Sequence, residues 1–288
     1  MHAPVLLKEV IGYLDPRPDE NFVDATLGEA GHSLAILEKN RPEGKVLGIE
    51  RDPEILKKLE SRQERLITVC ENFVNLKKIV KDQKFTNISG ALLDLGISSW
   101  HLQEANRGFS FLKNEPLMMN LDDKGLTAKE IVNSWAKEDL ERIFSQYGQE
   151  RFAKRISERI CLARRAKPIE TTWQLAEIIK RSVPRNYERG RINPATRIFL
   201  ALRIAVNEEL ENLEKTLPQA LEVIEKNGKI LVISFNSLED GLVKRFFKEK
   251  EKQGVIKILT KKPIVASQEE LKINPRSRSA KLRVAQKL

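Results

Sequence analysis

Three apolar stretches near the start of the chain each end in an acidic residue. They are Phe22–Asp24, Val46–Glu50 and Ala91–Asp94. If each is a strand of one open sheet, the three carboxylates lie at the same edge, where α/β proteins bind small ligands. Because opposite charges attract, such an edge suits a ligand that carries positive charge. The alternative is that these acids are solvated strand ends.

A short loop with two glycines follows the first stretch. Gly28 and Gly31 separate Asp24 from the helix-like run Leu34–Leu37, and such a loop lets a ligand approach the backbone closely. It lacks both the third glycine of dinucleotide sites and the Lys-Ser/Thr pair of phosphate loops. Glu50 lies about 20 residues beyond the glycines, as expected for an acid that binds ribose hydroxyls. The pattern favours a cationic nucleoside such as S-adenosylmethionine, although the glycines could simply form a turn.

The segments that must position these acids alternate between strand and helix patterns, which is the signature of βαβ units. Strands are predicted near 21–25, 46–50, 66–70 and 90–94. Helices are predicted near 5–14, 32–39, 53–62 and 73–82. The chain then turns helical over about 127–183 and 194–226, with Thr127 and Glu130 as a capping box and an interruption at Pro218.

Strand patterns return towards residue 288. They lie near 229–235, 255–260 and 280–286. The sequence therefore predicts an α/β domain into which a helical module is inserted. We place the core at residues 1–105 and 207–288, and the inserted helical domain at residues 106–206.

Composition narrows the class of partner. The 288 residues carry a formal net charge of +10, which favours nucleic acid, although a lysine-rich surface alone would give the same balance. No apolar run approaches the roughly 20 residues that cross a membrane, and no signal peptide is visible. Cys70 and Cys161 match no metal or disulfide spacing, and three histidines leave little for a metal. We expect a cytoplasmic protein without a metal.

Basic residues cluster in and around the helical module. The three clusters span residues 151–167, 180–197 and 276–283. The stretch Pro184–Asn193 is loop-like and basic and contains one aromatic residue, so it could grip phosphates while Tyr187 stacks on a base. The alternative for each cluster is a solvated helical face.

With these residues in view, the chain resembles the bacterial ribosomal RNA small-subunit methyltransferase H family. The resemblance runs from His2 to about residue 285 and rests on ordered motifs. The matching segments are His2–Leu7, Asp24–Ser33, Ile49–Pro53, Leu92–Ser99, Arg107–Phe111, Tyr147–Ala153, Pro194–Arg197, Ala201–Ile204, Val206–Asn207, Ile233–Phe235, Ser237–Asp240, Lys261–Pro263 and Asn274–Arg276.

The resemblance implies a fold and an activity. The fold is a Rossmann-like class I S-adenosylmethionine-dependent methyltransferase core with an inserted all-helical domain. The implied activity is methylation of N4 of a decoding-centre (P-site) cytosine in 16S rRNA. The implied partner is the small ribosomal subunit, and a homodimer is possible.

The resemblance also implies which residues bind and react. Cofactor contacts carry over to Ala30, Gly31, His32, Glu50, Phe73, Asp94 and His101. Asp94 would orient the amine or accept its proton, and Asn236, just past a strand end on the same sheet edge, is the second catalytic candidate. Substrate contacts are expected from Ser237, Asn120, Arg197 and Tyr187. Phe73 could instead be core, and His32 could bond to backbone at the start of a helix.

Several positions depart from the family pattern. Met118 stands where the family has Asp, Asn120 where it has Arg, and Asn193 and Asn236 where it has His. His101 replaces Gln and Glu50 replaces Asp. Because the substrate-side changes are to neutral groups, a second hypothesis is a ribosome-assembly factor that binds RNA and keeps the fold with weakened catalysis. A third, a nicotinamide-dependent oxidoreductase, fits the short glycine loop and the basic helices poorly.

Overall fold

A computed structural model describes residues 4–59, 64–122 and 124–288. Two compact units share the chain. The first combines Met1–Ile97 with Leu210–Leu288, and the second is Ser98–Glu209. The predicted boundaries, at 105/106 and 206/207, lie eight residues after and three before these divisions. Residues 2–3 of the first matched segment, and residues 60–62 of the helix predicted over 53–62, lie outside the described residues.

A seven-stranded sheet forms the centre of the first unit. Its strands are β1 Asn21–Asp24, β2 Val46–Glu50, β3 Leu66–Cys70, β4 Ile88–Asp94, β5 Lys229–Ser234, β6 Ile256–Ile258 and β7 Lys281–Lys287. The spatial order is β3-β2-β1-β4-β5-β7-β6, and β7 runs antiparallel to both of its neighbours. This sheet confirms the predicted Rossmann-like α/β core, and every predicted strand is present.

Helices cover the sheet on both faces. The first unit contains α1 Leu7–Leu14, α2 Gly31–Lys39, α3 Pro53–Lys58, α4 Leu76–Asp82, most of α11 Glu209–Val223, α12 Ser237–Lys252 and α13 Gln268–Ile273. One core cluster joins Val23, Leu47 and Leu93 to α4, α11 and α12, whereas the other joins Phe22 and Leu92 to α1 and α2. Successive strand residues thus enter opposite faces, which is why these strands are apolar nearly throughout.

The second unit is built from helices. They are α5 Ser99–Gln103, α6 Ala128–Ser134, α7 Lys137–Gln146, α8 Ala153–Ala166, α9 Thr172–Ser182 and α10 Ala195–Asn207. Among the described residues of this unit, the only β pairing is an isolated bridge between Pro116 and Thr171. Thr127 and Glu130 form the capping box that the sequence predicts. No helix in the described ranges is long and apolar enough to span a membrane.

The predicted interruption at Pro218 is wrong. The helical region divides instead at Glu208, whose φ of 52° is left-handed and ends α10, while Pro218 lies inside α11. A proline within a helix costs about 3 kcal/mol. Leu213, Leu217 and Leu221, which all contribute to the core, hold α11 against the sheet on both sides of the proline. Two short helices, α5 and α13, were not predicted because each is only one or two turns long.

Gly108 is expected to be intolerant of a side chain for two separable reasons. Its φ is +76°, and an added Cβ would lie 2.2 Å from the Pro116 carbonyl oxygen. Gly125 has nearly the same φ, +74°, but nothing lies within 4 Å of an added Cβ. Gly125→Ala should therefore cost about 1 kcal/mol from backbone strain alone, and Gly108→Ala at least roughly 3 kcal/mol.

The measurement is the free energy of unfolding in urea for both variants. Equal losses would contradict the close approach of Gly108 to Pro116.

Candidate functional site

The order in which strands are added to the sheet reverses between β1 and β4, which are parallel neighbours at the centre of the sheet. From β1 the chain proceeds outward to β2 and β3, and from β4 it proceeds the other way to β5. Crevices at such a switch point, outside the carboxyl ends of the strands, are where open α/β sheets bind ligands. Asp24, Glu50 and Asp94 are the last residues of β1, β2 and β4. The structure thus brings the three predicted acids to one edge.

The glycine loop is fixed to the end of β2 through Glu50. The Gly28 N–H donates to Glu50 Oε2 over 3.0 Å, and the Asp52 N–H donates to Oε1 over 2.8 Å. Ala30, which precedes α2, is buried and has a left-handed φ of 62°. Since a carboxylate can accept about four hydrogen bonds, the orientation of Glu50 is set by the backbone and remains compatible with accepting bonds from ribose hydroxyls.

The start of α2 packs against the N-terminal segment. A Cβ on Gly31 would lie 2.4 Å from Pro4 Cγ, so glycine is required for this close approach. His32 Nε2 lies 3.0 Å from the Val5 carbonyl oxygen, which can only accept, so Nε2 carries the proton. Burial lowers the pKa of His32 to about 4, and the ring is neutral at pH 7. The structure thus gives His32 the backbone partner foreseen as the alternative to cofactor contact.

Asp24 is a fully buried carboxyl. Its Oδ2 accepts a hydrogen bond from the Ser33 hydroxyl over 2.7 Å, and Oδ1 accepts one from the Thr26 N–H over 3.2 Å. Burial raises its pKa to about 6, these two hydrogen bonds oppose the rise, and the charge of Glu50 adds to it. The site therefore holds Asp24 close to its protonation equilibrium near neutral pH.

Asp94 is destabilised as an anion even more strongly. Burial raises its pKa well above the usual range, and the charges of Asp24 and Glu239 raise it further. Its backbone N–H donates to Thr26 Oγ1 over 2.6 Å, which ties the end of β4 to the loop after β1. Asp94 Oδ1 is buried and has no hydrogen-bond partner. A cation or a hydrogen-bond donor placed there would relieve both costs.

Asn236 offers the complementary group at the end of the neighbouring strand, β5. Its Oδ1 accepts hydrogen bonds from the N–H groups of Leu238 and Glu239, each over 3.0 Å, and so caps α12. Its Nδ2 is buried without a partner. Ile233, paired with Asp94 in the sheet, lies three residues before Asn236. The edge thus carries an unpaired acceptor and an unpaired donor on adjacent strand ends.

Two further residues of this edge were not predicted. Glu239 is buried and its Oε2 accepts from the Phe235 N–H over 2.8 Å and from the Asn236 N–H over 3.3 Å. Ser234, the last residue of β5, has a buried hydroxyl without a partner. An Asn followed three residues later by Glu is a capping-box pattern, so the sequence held a signal for Glu239. It held none for the burial of Ser234.

Phe73 and Ser237 occupy less enclosed positions. Phe73 begins a short 3-10 helix after β3 and packs partly against the core of the first unit. Its carbonyl oxygen accepts a hydrogen bond from Thr216 Oγ1 over 3.3 Å. Ser237 is exposed in the first turn of α12. Phe73 is thus partly core, and its half-buried ring is compatible with the predicted place beside an adenine.

His101 lies in the second unit and acts there as a cap. Its Nδ1 accepts a hydrogen bond from the Ser98 N–H over 3.2 Å and lies 2.9 Å from Ser98 Oγ, which completes the capping box of α5. The ring is buried and makes edge-on contacts with Trp100 and Phe109. These contacts fix the rotamer and tautomer of His101.

Asn120 is the buried polar residue of the second unit whose acceptor is unused. It is 2% exposed, its Nδ2 makes a long 3.5 Å contact with the Lys124 carbonyl, and its Oδ1 has no partner. It is the only residue with such an orphaned side-chain atom in the part of this unit that the structure describes. The neutral Asn at this position therefore still presents a hydrogen-bond acceptor.

The structure does not support the prediction that Tyr187 stacks on a base. Tyr187 is 3% exposed, and its hydroxyl donates to Glu150 Oε2 over 2.5 Å. The guanidinium carbons of Arg151 and Arg197 lie over the ring, 5.8 Å and 6.0 Å from its centre. The segment 187–190 forms a 3-10 turn, which directs the tyrosine inward instead of into solvent. Arg197 is 26% exposed and also approaches Glu150 at 3.9 Å, so it helps to neutralise that buried acid.

The chain is similar to known proteins along its whole length. The family model described as the MraW methylase family matches residues 1–288. The chain is 43% identical over 309 residues to ribosomal RNA small subunit methyltransferase H of Heliobacterium mobile, with 100% of this chain and 99% of that protein covered. It is 42% identical over 306 residues to the protein of the same name from Clostridium botulinum, with the same coverage.

The chain is also similar to solved structures. An rRNA methylase from Streptococcus thermophilus aligns over 100% of this chain and 99% of that chain, with 12% identity and a TM-score of 0.46. Within the described residues, no group of three or more His, Cys, Asp or Glu side chains could hold a metal ion.

Replacing Asp24 with its neutral isostere is expected to stabilise the protein at high pH. The folded pKa near 6 exceeds the unfolded value of about 3.9, so the folded state holds the proton more tightly. The stability that the protonated Asp24 contributes is lost as the pH rises from the unfolded to the folded pKa, and this loss is complete above the folded pKa. Asp24→Asn, which can keep the bonds to Ser33 and Thr26, should therefore raise the free energy of unfolding by roughly 1–3 kcal/mol at pH 8, and much less at pH 4.

Urea unfolding at both pH values measures this effect. Asp82→Asn, at the exposed end of α4, serves as the control and should change stability little at either pH. An Asp24→Asn variant less stable than the parent at pH 8 would refute the argument.

Proposed function

Because the chain belongs to the MraW methylase family, we propose that it methylates N4 of a decoding-centre (P-site) cytosine in 16S rRNA. It is an S-adenosylmethionine-dependent methyltransferase, as the sequence predicts. Relatives more than 40% identical along the full chain are named ribosomal RNA small subunit methyltransferase H, which supports rRNA as the substrate. That cytosine is the methylated base and N4 the methylated atom is our proposal.

Two unpaired atoms at the C-terminal edge of the sheet support this proposal most directly, the acceptor Asp94 Oδ1 and the donor Asn236 Nδ2. The pairing edge of cytosine presents an amine that donates and a ring nitrogen that accepts. Asp94 Oδ1 could accept from the amine, and Asn236 Nδ2 could donate to the ring nitrogen or to the carbonyl oxygen. A base read in this way must leave its stack, and enzymes that modify bases flip them into such pockets. The two orphaned atoms, one acceptor and one donor, are complementary to the amine and to one acceptor of this edge.

The carboxyl cluster fits the cofactor on the same grounds. When bound, S-adenosylmethionine supplies an electrophilic methyl group on a positively charged sulfonium. Asp24 and Asp94 have raised pKa values because they are buried near other acids, and a nearby cation would favour their ionised forms. Glu50 would accept from ribose hydroxyls, and Ala30 and Gly31, at the start of α2, would contact the cofactor. Phe73 would flank the adenine, and His32 and His101 remain proposed contacts.

Asp94 has the chemistry that methylation of an exocyclic amine requires. The cytosine amine is a weak nucleophile because its lone pair is delocalised into the ring. Holding the amine by a hydrogen bond supplies orientation, which can contribute several kcal/mol. As the nitrogen acquires positive charge, its proton becomes acidic and can pass to Asp94. A bound cationic cofactor would favour the ionised form of Asp94, which is the form that can accept this proton.

The outer face of α8 supports an RNA substrate. Lys154, Arg155, Arg159 and Arg165 are exposed along it, while Ile156 and Ile160 face inward. None of these four cations makes an ion pair with any residue in the described ranges. In contrast, Arg142 of α7 and Arg181 of α9 each pair with an acid on their own helix at 3.0 Å. Unpaired cations that alternate with few acids are the expected footprint of a phosphate backbone.

A ribosome-assembly factor with weakened catalysis is the second candidate. It rests on the neutral residues Met118, Asn120 and Asn236. The geometry of Asn236 weakens this argument, because its amide can cap α12 and still donate a hydrogen bond. Methyl transfer distinguishes the two candidates directly.

We expect the protein to transfer a labelled methyl group from S-adenosylmethionine to small ribosomal subunits that lack the mark, with N4-methylcytidine as the product nucleoside. Asp94→Asn should lower kcat by about 10²–10⁴, since an amide cannot take the proton. Small-subunit binding should survive. Asp82→Asn, at an exposed carboxyl of the same unit, is the matched control and should leave kcat unchanged.

Each other outcome is informative. A different methylated nucleoside would refute the cytosine N4 target. Absence of transfer by a protein that binds both cofactor and subunits would favour the assembly factor. Full activity of Asp94→Asn would remove Asp94 from the chemistry.

Reversing two charges on α8 should weaken RNA binding. Arg155→Glu/Arg159→Glu is expected to lower affinity for 16S rRNA at least tenfold and to reduce the slope of log Kd against log salt by roughly 1.5, because about two phosphate contacts are lost. Lys78→Glu/Lys81→Glu makes the same charge change on exposed residues of α4 and should have a much smaller effect. Equal losses from the two pairs would show that net charge, and not the α8 face, governs binding.

A further inference from the structure

Asn120 lies in a segment whose backbone is held from both sides by one side chain. The Asn207 amide donates from Nδ2 to the Met119 carbonyl oxygen over 2.7 Å, and its Oδ1 accepts from the Leu121 N–H over 3.1 Å. These are the peptide groups immediately before and after Asn120. A shift of the Asn207 side chain would therefore move Asn120 with it.

Arg107 holds the same short segment from another direction. Its carbonyl oxygen accepts from the Met119 N–H over 2.7 Å, and its Nη1 donates to the Leu121 carbonyl oxygen over 2.9 Å. Met119 is buried in a left-handed conformation with φ of 61°, which costs a side-chain-bearing residue conformational energy. The segment is thus held in a strained shape by one backbone and three side-chain hydrogen bonds, as is common at functional sites.

Asn120 itself gains nothing visible from this arrangement. Its Oδ1 is buried and unpaired, although buried acceptors nearly always find a partner. A residue that served only the fold would use this acceptor or lose it. The rigid backbone together with an unused acceptor points to a hydrogen-bond donor that arrives with the substrate.

We infer that Asn207 is a positioning residue whose amide aims the Asn120 Oδ1 at an N–H or O–H donor of the RNA substrate. The inference deepens the proposed function and rests on it. Asn207 does not touch the substrate and acts only through Asn120.

The chain contains a matched control for this device. Asn133, at the end of α6, makes three bonds of the same kind, although its two distant bonds go to a single residue: Nδ2 donates to the Lys129 and Ile169 carbonyl oxygens over 2.8 and 2.7 Å, and Oδ1 accepts from the Ile169 N–H over 2.8 Å. Asn207 likewise donates to the carbonyl oxygen four residues earlier, that of Arg203, over 3.0 Å. Both lie in the second unit, but Asn133 holds a segment without any candidate site residue.

The experiment is a double-mutant cycle on methyl transfer to small ribosomal subunits. Asn120→Ala and Asn207→Asp should each lower kcat/KM by about 10-fold to 100-fold. The kcat/KM of the double variant should be no more than about threefold below that of the less active single variant. Asn207→Asp keeps the acceptor for Leu121 and removes both donors. Asn133→Asp should lower the Tm comparably yet leave kcat/KM within about twofold of the parent.

Three results would overturn the inference. They are an Asn207→Asp variant with unchanged kcat/KM, fully additive losses in the double variant, and an equal loss of kcat/KM in Asn133→Asp. If Asn207→Asp does not fold, Asn207→Ala takes its place in the cycle, since it removes the bonds without adding a charge.

Failure of the proposed function is separately visible, because the parent protein would then transfer no methyl group. The same cycle is in that case measured on Kd for small ribosomal subunits. Coupling between positions 120 and 207 would support the positioning role there, and its absence would overturn it.

Discussion

Burial of several carboxyl groups at one edge of the sheet is the constraint on which the site depends. Asp24 and Asp94 are enclosed at the ends of β1 and β4, and Glu239 is buried in the first turn of α12. Glu50 lies close enough to raise the pKa of Asp24. Like charges in a region of low polarity oppose one another and oppose folding. The fold tolerates them because the central strands β1 and β4 are fixed by cores on both faces. A cationic ligand would relieve this unfavourable electrostatic free energy when it binds, and the relief would add to its affinity.

The polar residues around the cluster divide into those that support it and those that wait for a partner. Ser33, Thr26 and the N–H groups of Gly28 and Asp52 bond to the acids or to their backbone. Asp94 Oδ1 and Asn236 Nδ2 have no such partner. Where the resemblance leads one to expect His, Asn236 uses one end of its amide for the helix and leaves the other end for a ligand. An amide does both without titrating, so the pH dependence of the site rests on its carboxyl groups.

Much of this architecture was accessible from the sequence because it depends on local pattern. Runs such as Val46–Glu50 and Ala91–Asp94 are apolar because both sheet faces are covered, and their terminal acids mark the edge. The capping box at Thr127 needs only three residues of context. The predicted helix break at Pro218 was wrong because packing of α11 against the core overrides a local preference. Base stacking by Tyr187 is not supported, because a basic, loop-like composition cannot show that the ring turns inward towards Glu150.

What the sequence could not supply is the set of long-range polar contacts that place individual side chains. Asp94 and Thr26 are 68 residues apart, and Asn207 and Met119 are 88 apart, yet each pair is joined by one hydrogen bond. Neither periodicity nor spacing encodes such a bond, since any Asn or Thr on a helix or loop could make it. The likeness between Asn207 and Asn133 shows the difficulty. The same residue type, with bonds of the same kind, holds a connecting segment in one place and a candidate binding residue in the other. Only the orphaned acceptor on the held segment tells them apart, and that becomes visible when burial and hydrogen bonding are known atom by atom.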